Sequence, residues 1–144
     1  MAVHLITGGS GFVGSNMANM LLDRGENVRV LDLWQDPNSN PDIEYYIGDI
    51  NDRNLVKHAM NKVDFVHHNV ALVPLSKAGK DYWTVNVEGT KTVLEAANDA
   101  KVKMFSHMSS SAILDCQKIC QLQTALLGSR LKYMEKQNLL VKIL

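Results

Sequence analysis

The sequence predicts a doubly wound α/β domain built on a parallel sheet, and three observations predict it. An apolar run over residues 2–7 opens directly into glycines at positions 8, 11 and 14. Short apolar runs then alternate with stretches of helical period along the chain. The loops joining them are mostly short, as parallel strands linked by right-handed crossovers through helices require.

The first element is a strand over residues 2–7, Ala-Val-His-Leu-Ile-Thr. The glycines that follow have the spacing G-x-x-G-x-x-G. Gly8 lets the chain turn out of the strand, Gly11 lets a ligand approach the backbone, and Gly14 lets the next helix pack close. That helix is expected over about residues 12–24, with Val13, Met17, Met20, Leu21 and Leu22 at near-helical period and Gly25 just past its end. Its first amides lack partners within the helix and carry a partial positive charge, so they suit a phosphate. A second strand, Val28-Arg29-Val30-Leu31, ends at Asp32. A carboxylate there can accept from both hydroxyls of an adenosine ribose. It would oppose a 2′-phosphate by roughly 1 kcal/mol in water, or about 4 kcal/mol at an effective dielectric near 20. The next residues, Leu33, Trp34 and Gln35, bring no cation to offset this. The site therefore reads as one for NAD rather than NADP.

A polar loop over 35–41 leads to a third strand over about 43–47, then Gly48-Asp49-Ile50. A short helix is expected from near Asp52, with Leu55, Val56 and Ala59 inward, and a fourth strand over 63–67. Residues 69–80 form an irregular connection containing Pro74. A single long helix is expected over about 81–100, with Val85, Val87, Val93, Leu94, Ala96 and Ala97 as its apolar residues. A fifth strand over 102–108 runs into Ser109-Ser110-Ser111-Ala112. Asp49, residues 69–73 and the serines all follow strands, so they share the carboxyl edge with the glycine turn.

At 144 residues, 46% of them hydrophobic, the chain fits one domain with a real core. It is too short for a dinucleotide domain plus a full substrate domain. Formal net charge is zero and the basic residues are scattered, which argues against nucleic acid or an anionic membrane as partner. The absence of a long apolar segment or leader pattern reads as a cytoplasmic protein. Cys116 and Cys120 lie one helical turn apart. Without nearby ligands they read as buried thiols before a zinc or redox site, and no metal is expected. His67 and His68 read as strand-end histidines before metal ligands.

Taken together, Thr7-Gly8-Gly9-Ser10-Gly11-Phe12-Val13-Gly14, Asp32, Gly48-Asp49-Ile50, His68-Asn69-Val70-Ala71, Asn86-Val87-Glu88-Gly89-Thr90 and Ser109-Ser110-Ser111-Ala112 resemble the extended short-chain dehydrogenases, in particular the NAD-dependent epimerase/dehydratase group acting on nucleotide sugars. The resemblance covers residues 1–113, an NAD-binding domain of Rossmann type. It implies that Gly8, Gly11, Phe12, Val13 and Gly14 hold the pyrophosphate, while Asp32 and Leu33 meet the ribose. It implies that Asp49 accepts from the adenine amino group, with Ile50 against the ring. Val70, Ala71 and Leu72 would line the path to the nicotinamide ribose, Asn86 would order the edge of strand four, and Ser111 would bond the reacting sugar oxygen. Read from the residues alone, Asp49 can equally open a turn, Asn86 and Thr90 can be ordinary helix positions, and the serines can cap the next segment.

The family's chemistry uses a Tyr with a Lys four residues later, the Lys lowering the phenol pKa so that it can take a proton. Here Tyr45, Tyr46, Tyr82 and Tyr133 are followed at that spacing by Asp49, Ile50, Asn86 and Gln137. Residues 114–144 depart from the pattern and read as a divergent, helical tail, a truncated or frame-altered remainder with no substrate domain. The expected function is an NAD-binding domain of an epimerase/dehydratase-like protein, an isomerase or oxidoreductase relative with little or no turnover of a nucleotide sugar. The alternative is a non-catalytic dinucleotide-binding or sensing module. Apolar surface left without a partner can drive homo-oligomerisation.

Overall fold

The computed structural model describes residues 1–72, 81–109 and 141–143. Strand β1 (Val3–Thr7) leads through the glycine turn into helix α1 (Phe12–Asp23), then β2 (Asn27–Asp32) and β3 (Glu44–Ile47). Helix α2 (Arg53–Ala59) precedes β4 (Phe65–His68). A helical turn α3 (Asp81–Trp83), a π-helical segment (Thr84–Gly89) and helix α4 (Thr90–Asp99) lead to β5 (Met104–His107). The last described element is β6 (Val141–Ile143).

All pairings are parallel, in the order β3-β2-β1-β4-β5-β6. Strand order therefore reverses between β1 and β4, and a ligand crevice opens outside their carboxyl ends. The alternation of side chains along each strand divides the core between the two faces. Ile6, Val28, Val30 and Ile43 meet Ala18 of α1 on one face. Leu5, Leu31, Val66 and Phe105 meet Val56, Val93 and Ala97 of α2 and α4 on the other. Near-complete burial of each large aliphatic side chain stabilises by about 1.5–3 kcal/mol.

The helix ends follow local chemistry. α1 closes with the amides of Gly25 and Glu26 on the carbonyls of Leu22 and Leu21, at 2.8 and 3.0 Å. α2 opens on Asp52, whose carboxylate accepts from the amides of Asn54 and Leu55 at 2.9 and 3.1 Å. Such a cap is worth about 1 kcal/mol.

Two expectations are corrected. The helix over 81–100 is not a continuous α-helix, because residues 84–89 widen to the π form. Residues 141–143, expected within a helical tail, form a strand instead. They pair with β5 in the register Phe105↔Val141, Ser106↔Lys142 and His107↔Ile143. β-branched Val141 and Ile143 suit a pleated strand, and β5 offers the backbone partners that an isolated helix would not need. The rest of the tail lies outside the described residues.

Candidate functional site

The glycine turn and Asp32 come together at the carboxyl ends of β1 and β2. Gly8 leaves β1 at φ +72° and donates its amide to the Leu31 carbonyl at 2.9 Å. The turn packs so closely on itself and on β2 that a side chain is excluded at two positions. A Cβ on Gly14 would lie 2.3 Å from the Gly8 carbonyl oxygen, and one on Gly9 would lie 2.5 Å from each Val30 methyl. Gly14 thus packs against the turn itself. At Gly11 a Cβ would meet only the Gly8 oxygen, at 3.4 Å. Bare backbone therefore faces an open space there.

α1 begins on Gly11, which has no side chain to cap it. Its first internal hydrogen bond runs from the Ser15 amide to the Gly11 carbonyl at 2.9 Å. The amides of Phe12, Val13 and Gly14 precede that bond and sit at the positive end of the helix. Gly11, Phe12 and Val13 are exposed. The donors, the missing cap and the open approach fit the pyrophosphate of a dinucleotide.

Asp32 is half-buried at the end of β2. Its Oδ2 accepts from the Ser10 amide at 3.0 Å and its Oδ1 from the Leu33 amide at 2.7 Å. The Ser10 hydroxyl donates to the Trp34 carbonyl at 2.6 Å. These bonds fix the carboxylate beside the turn and leave acceptor capacity on both oxygens, which suits a ribose diol. Leu33 is 69% exposed at the rim.

Asp49 is exposed, and its Oδ1 accepts from both the amide and the Nδ2 of Asn51, at 2.8 and 2.9 Å. It therefore builds the turn into α2, with its other oxygen outside those two bonds. Ile50 is turned inward: it is 4% exposed, and a Cβ on Gly89 would lie 2.4 Å from its Cδ1. Its side chain consequently presents almost no surface to an adenine ring.

Val70 flanks the turn from just past β4, with its amide and Cγ2 each 3.2 Å from where a Gly8 Cβ would stand. The Asn69 amide donates to the Thr7 carbonyl at 3.1 Å. Ala71 is exposed and Leu72 half-buried. Asn86, on the π segment, accepts from the Leu72 amide at 2.7 Å and donates to its carbonyl at 2.9 Å. The π form thus occurs where the helix reaches across to hold the segment that follows β4. Ser109 ends the second described stretch; Ser110, Ser111, Cys116, Cys120 and Tyr133 lie outside the described residues.

Four of the five histidines, His4, His67, His68 and His107, stand on strands of the sheet. His68 is wholly buried, with Nδ1 2.7 Å from Thr7 Oγ1 and Nε2 2.9 Å from Thr90 Oγ1. Burial, with the neighbouring His107 adding a smaller effect, lowers its pKa to about 3. His67 Nε2 lies 3.0 Å from His4 Nδ1, and burial with a smaller effect from His4 lowers the His67 pKa to about 4. Among the described residues no group of three or more His, Cys, Asp or Glu is placed to hold a metal ion. No helix among them is long and apolar enough to cross a membrane.

Sequence reasoning missed Gly9 and Ser10 as builders of the site. The doubled glycine was the available signal for the first. Ser10 carried none, because its partners Asp32 and Trp34 are reached only through the fold.

An uncapped helix start behind a glycine turn, with a carboxylate ending the adjacent strand, defines a dinucleotide-binding α/β domain. More particularly, the chain belongs to the 3-beta hydroxysteroid dehydrogenase/isomerase family, among the extended short-chain dehydrogenases, whose profile matches residues 5–122. It is 35% identical over 118 residues to a 3-beta-hydroxysteroid dehydrogenase of Mycolicibacterium neoaurum, covering 76% of this chain and 32% of that protein. It is 35% identical over 109 residues to the decarboxylating sterol-4-alpha-carboxylate 3-dehydrogenase of Mus musculus, covering 76% and 30%. Among solved structures it resembles Thermus thermophilus UDP-glucose 4-epimerase in complex with NAD, with TM-score 0.69 and 28% identity, covering 76% of this chain and 38% of that one. The chain spans about a third of the length of the curated relatives it matches.

Proposed function

We propose that this chain binds NAD as the dinucleotide domain of an extended short-chain dehydrogenase, with little or no turnover of its own. The observation that carries the reading is the seat itself: an uncapped helix start over Gly11, closed by the Gly14 contact and flanked by Asp32. The backbone amides of Phe12, Val13 and Gly14 hold the pyrophosphate, and Asp32 holds the ribose diol. Val70, Ala71 and Leu72 form the wall toward the nicotinamide ribose, with Asn86 keeping Leu72 in place.

Sterol dehydrogenation and nucleotide-sugar epimerisation share one step, oxidation of a secondary alcohol by hydride transfer. NAD supplies the hydride acceptor when bound, and the protein positions it. The alcohol must also give up its hydroxyl proton to a base. The Tyr with Lys four residues later that serves this in the family is missing from the sequence, which supports binding without turnover. We expect a soluble, cytoplasmic protein. A non-catalytic dinucleotide-binding or sensing module draws support from the same missing pair.

A thermal melt with and without NAD, run beside an NADH absorbance assay on a panel of sterols and chromatography of UDP-sugars for an epimerised product, tests the proposal. The expected result is a melting temperature raised by NAD, with neither NADH nor an altered sugar formed. An unshifted melt overturns NAD binding, and steady formation of NADH or of an epimerised sugar overturns the lack of turnover.

A further inference from the structure

We propose that His68 is a positioning residue for the site, tying the glycine turn to the wall on the nicotinamide side through Thr7 and Thr90. This rests on the dinucleotide reading above and extends it. His68 is the last residue of β4, and its two ring nitrogens meet hydroxyls from residues 61 and 22 positions away. Thr7, on Nδ1, is the last residue of β1 and is followed at once by Gly8. Thr90, on Nε2, opens α4 directly after the π segment that carries Asn86. The main chain repeats the Thr7 side of this connection, where the Asn69 amide donates to the Thr7 carbonyl at 3.1 Å.

A neutral imidazole has one donor and one acceptor, and a hydroxyl can take either role. One tautomer therefore satisfies both threonines in a place where no water is needed. The ring is held from a third side by stacking on His107, with centroids 5.3 Å apart. Removing either hydroxyl leaves a buried ring nitrogen without a partner and frees one end of the tie. Loss at Thr90 frees the end that leads through Asn86 to Leu72. The turn and Asp32, which hold the adenosine half, keep their own bonds to Leu31, Ser10 and Leu33. The tie should therefore be felt more by a ligand that reaches the nicotinamide wall than by one confined to the adenosine half.

The test compares NAD and AMP binding by calorimetry in the full chain and in Thr90→Val, Thr90→Ser and His68→Gln. Valine matches threonine in shape and lacks the hydroxyl, and serine restores it. Thr90→Val is expected to bind NAD about five- to tenfold more weakly, the loss expected for one buried hydrogen bond, and AMP within about twofold of the parent. Thr90→Ser is expected to recover most NAD affinity. A general loosening of the fold would weaken both ligands in proportion, and that result overturns the assignment, as does valine binding NAD like the parent. If His68→Gln fails to fold, the two threonine variants still decide. A folded parent that binds neither ligand overturns the dinucleotide reading and this assignment with it, whereas a parent that binds both with an unmoved ratio in the variants overturns this assignment alone.

Discussion

Acid should loosen this fold well above the pH at which its carboxylates titrate. His67 and His68 are held neutral by burial, with pKa values lowered to about 4 and about 3 from the ordinary 6.5. Both are lower folded than unfolded, so the unfolded chain takes up the protons first. The stability they hold is fully present above pH 6.5 and is lost as pH falls through 6.5 toward 4 and 3. At pH 5 the unfolded rings lie about 1.5 pH units below their ordinary value, and each pH unit is worth about 1.4 kcal/mol per ring. The loss from pH 8 to pH 5 is then about 2 kcal/mol for each ring and about 4 kcal/mol for the two. Burial lowers His4 and His107 as well, which acts in the same direction. The carboxyls of Glu44 and Asp64 are themselves held below their usual range, the first chiefly by the Tyr46 hydroxyl and the second chiefly by Lys103, so they stay ionised in this window. Urea melts at pH 8, 6.5 and 5 measure the effect. With a slope of about 2 kcal/mol per molar, the midpoint should fall by about 2 M. His67→Gln should remove about half of the pH dependence. A midpoint that does not move between pH 8 and 5 would refute the reasoning.

Three further outcomes follow from the site and the surface. Gly14→Ala places a methyl on the Gly8 carbonyl, and should destabilise by about 1–3 kcal/mol while weakening NAD more than tenfold, read by thermal melt and calorimetry. Asp32→Ala removes the acceptor of the Ser10 and Leu33 amides, and should weaken NAD by about tenfold or more while narrowing the NAD-over-NADP preference; an unchanged preference would show that the carboxylate does not choose the cofactor. Phe12, Trp34 and Trp83 are 85, 53 and 64% exposed, and the isolated chain should elute above monomer mass on size exclusion with light scattering; a monomer at every concentration would show that this surface is tolerated in water.

The parts of the fold legible in the sequence were those whose cause is local. Strand β1, the glycine turn, α1 and Asp32 stand in one short stretch, and each residue's role follows from its neighbours in the chain. Asp52 was legible as a helix start for the same reason. Tertiary partners decided the rest. The π segment places Asn86 on Leu72 and Gly89 on Ile50, and no helical period announces it. Ile50 is part of the Gly48-Asp49-Ile50 motif and yet points into the core, because the π segment brings Gly89 over it. Val141-Lys142-Ile143 is too short for its pattern to choose between helix and strand, and pairing with β5 settles it. His68 reads from the sequence as a strand-end histidine, because the partners that close on its ring, Thr7 and Thr90, are distant in the chain.

Calorimetric titration of the folded chain with NAD tests the central claim most directly, since the turn and Asp32 are read as a built seat for that molecule. Saturable one-to-one binding, tighter for NAD than for NADP, is the predicted result. A cooperative, well-folded sample that gives no heat with millimolar NAD would contradict it.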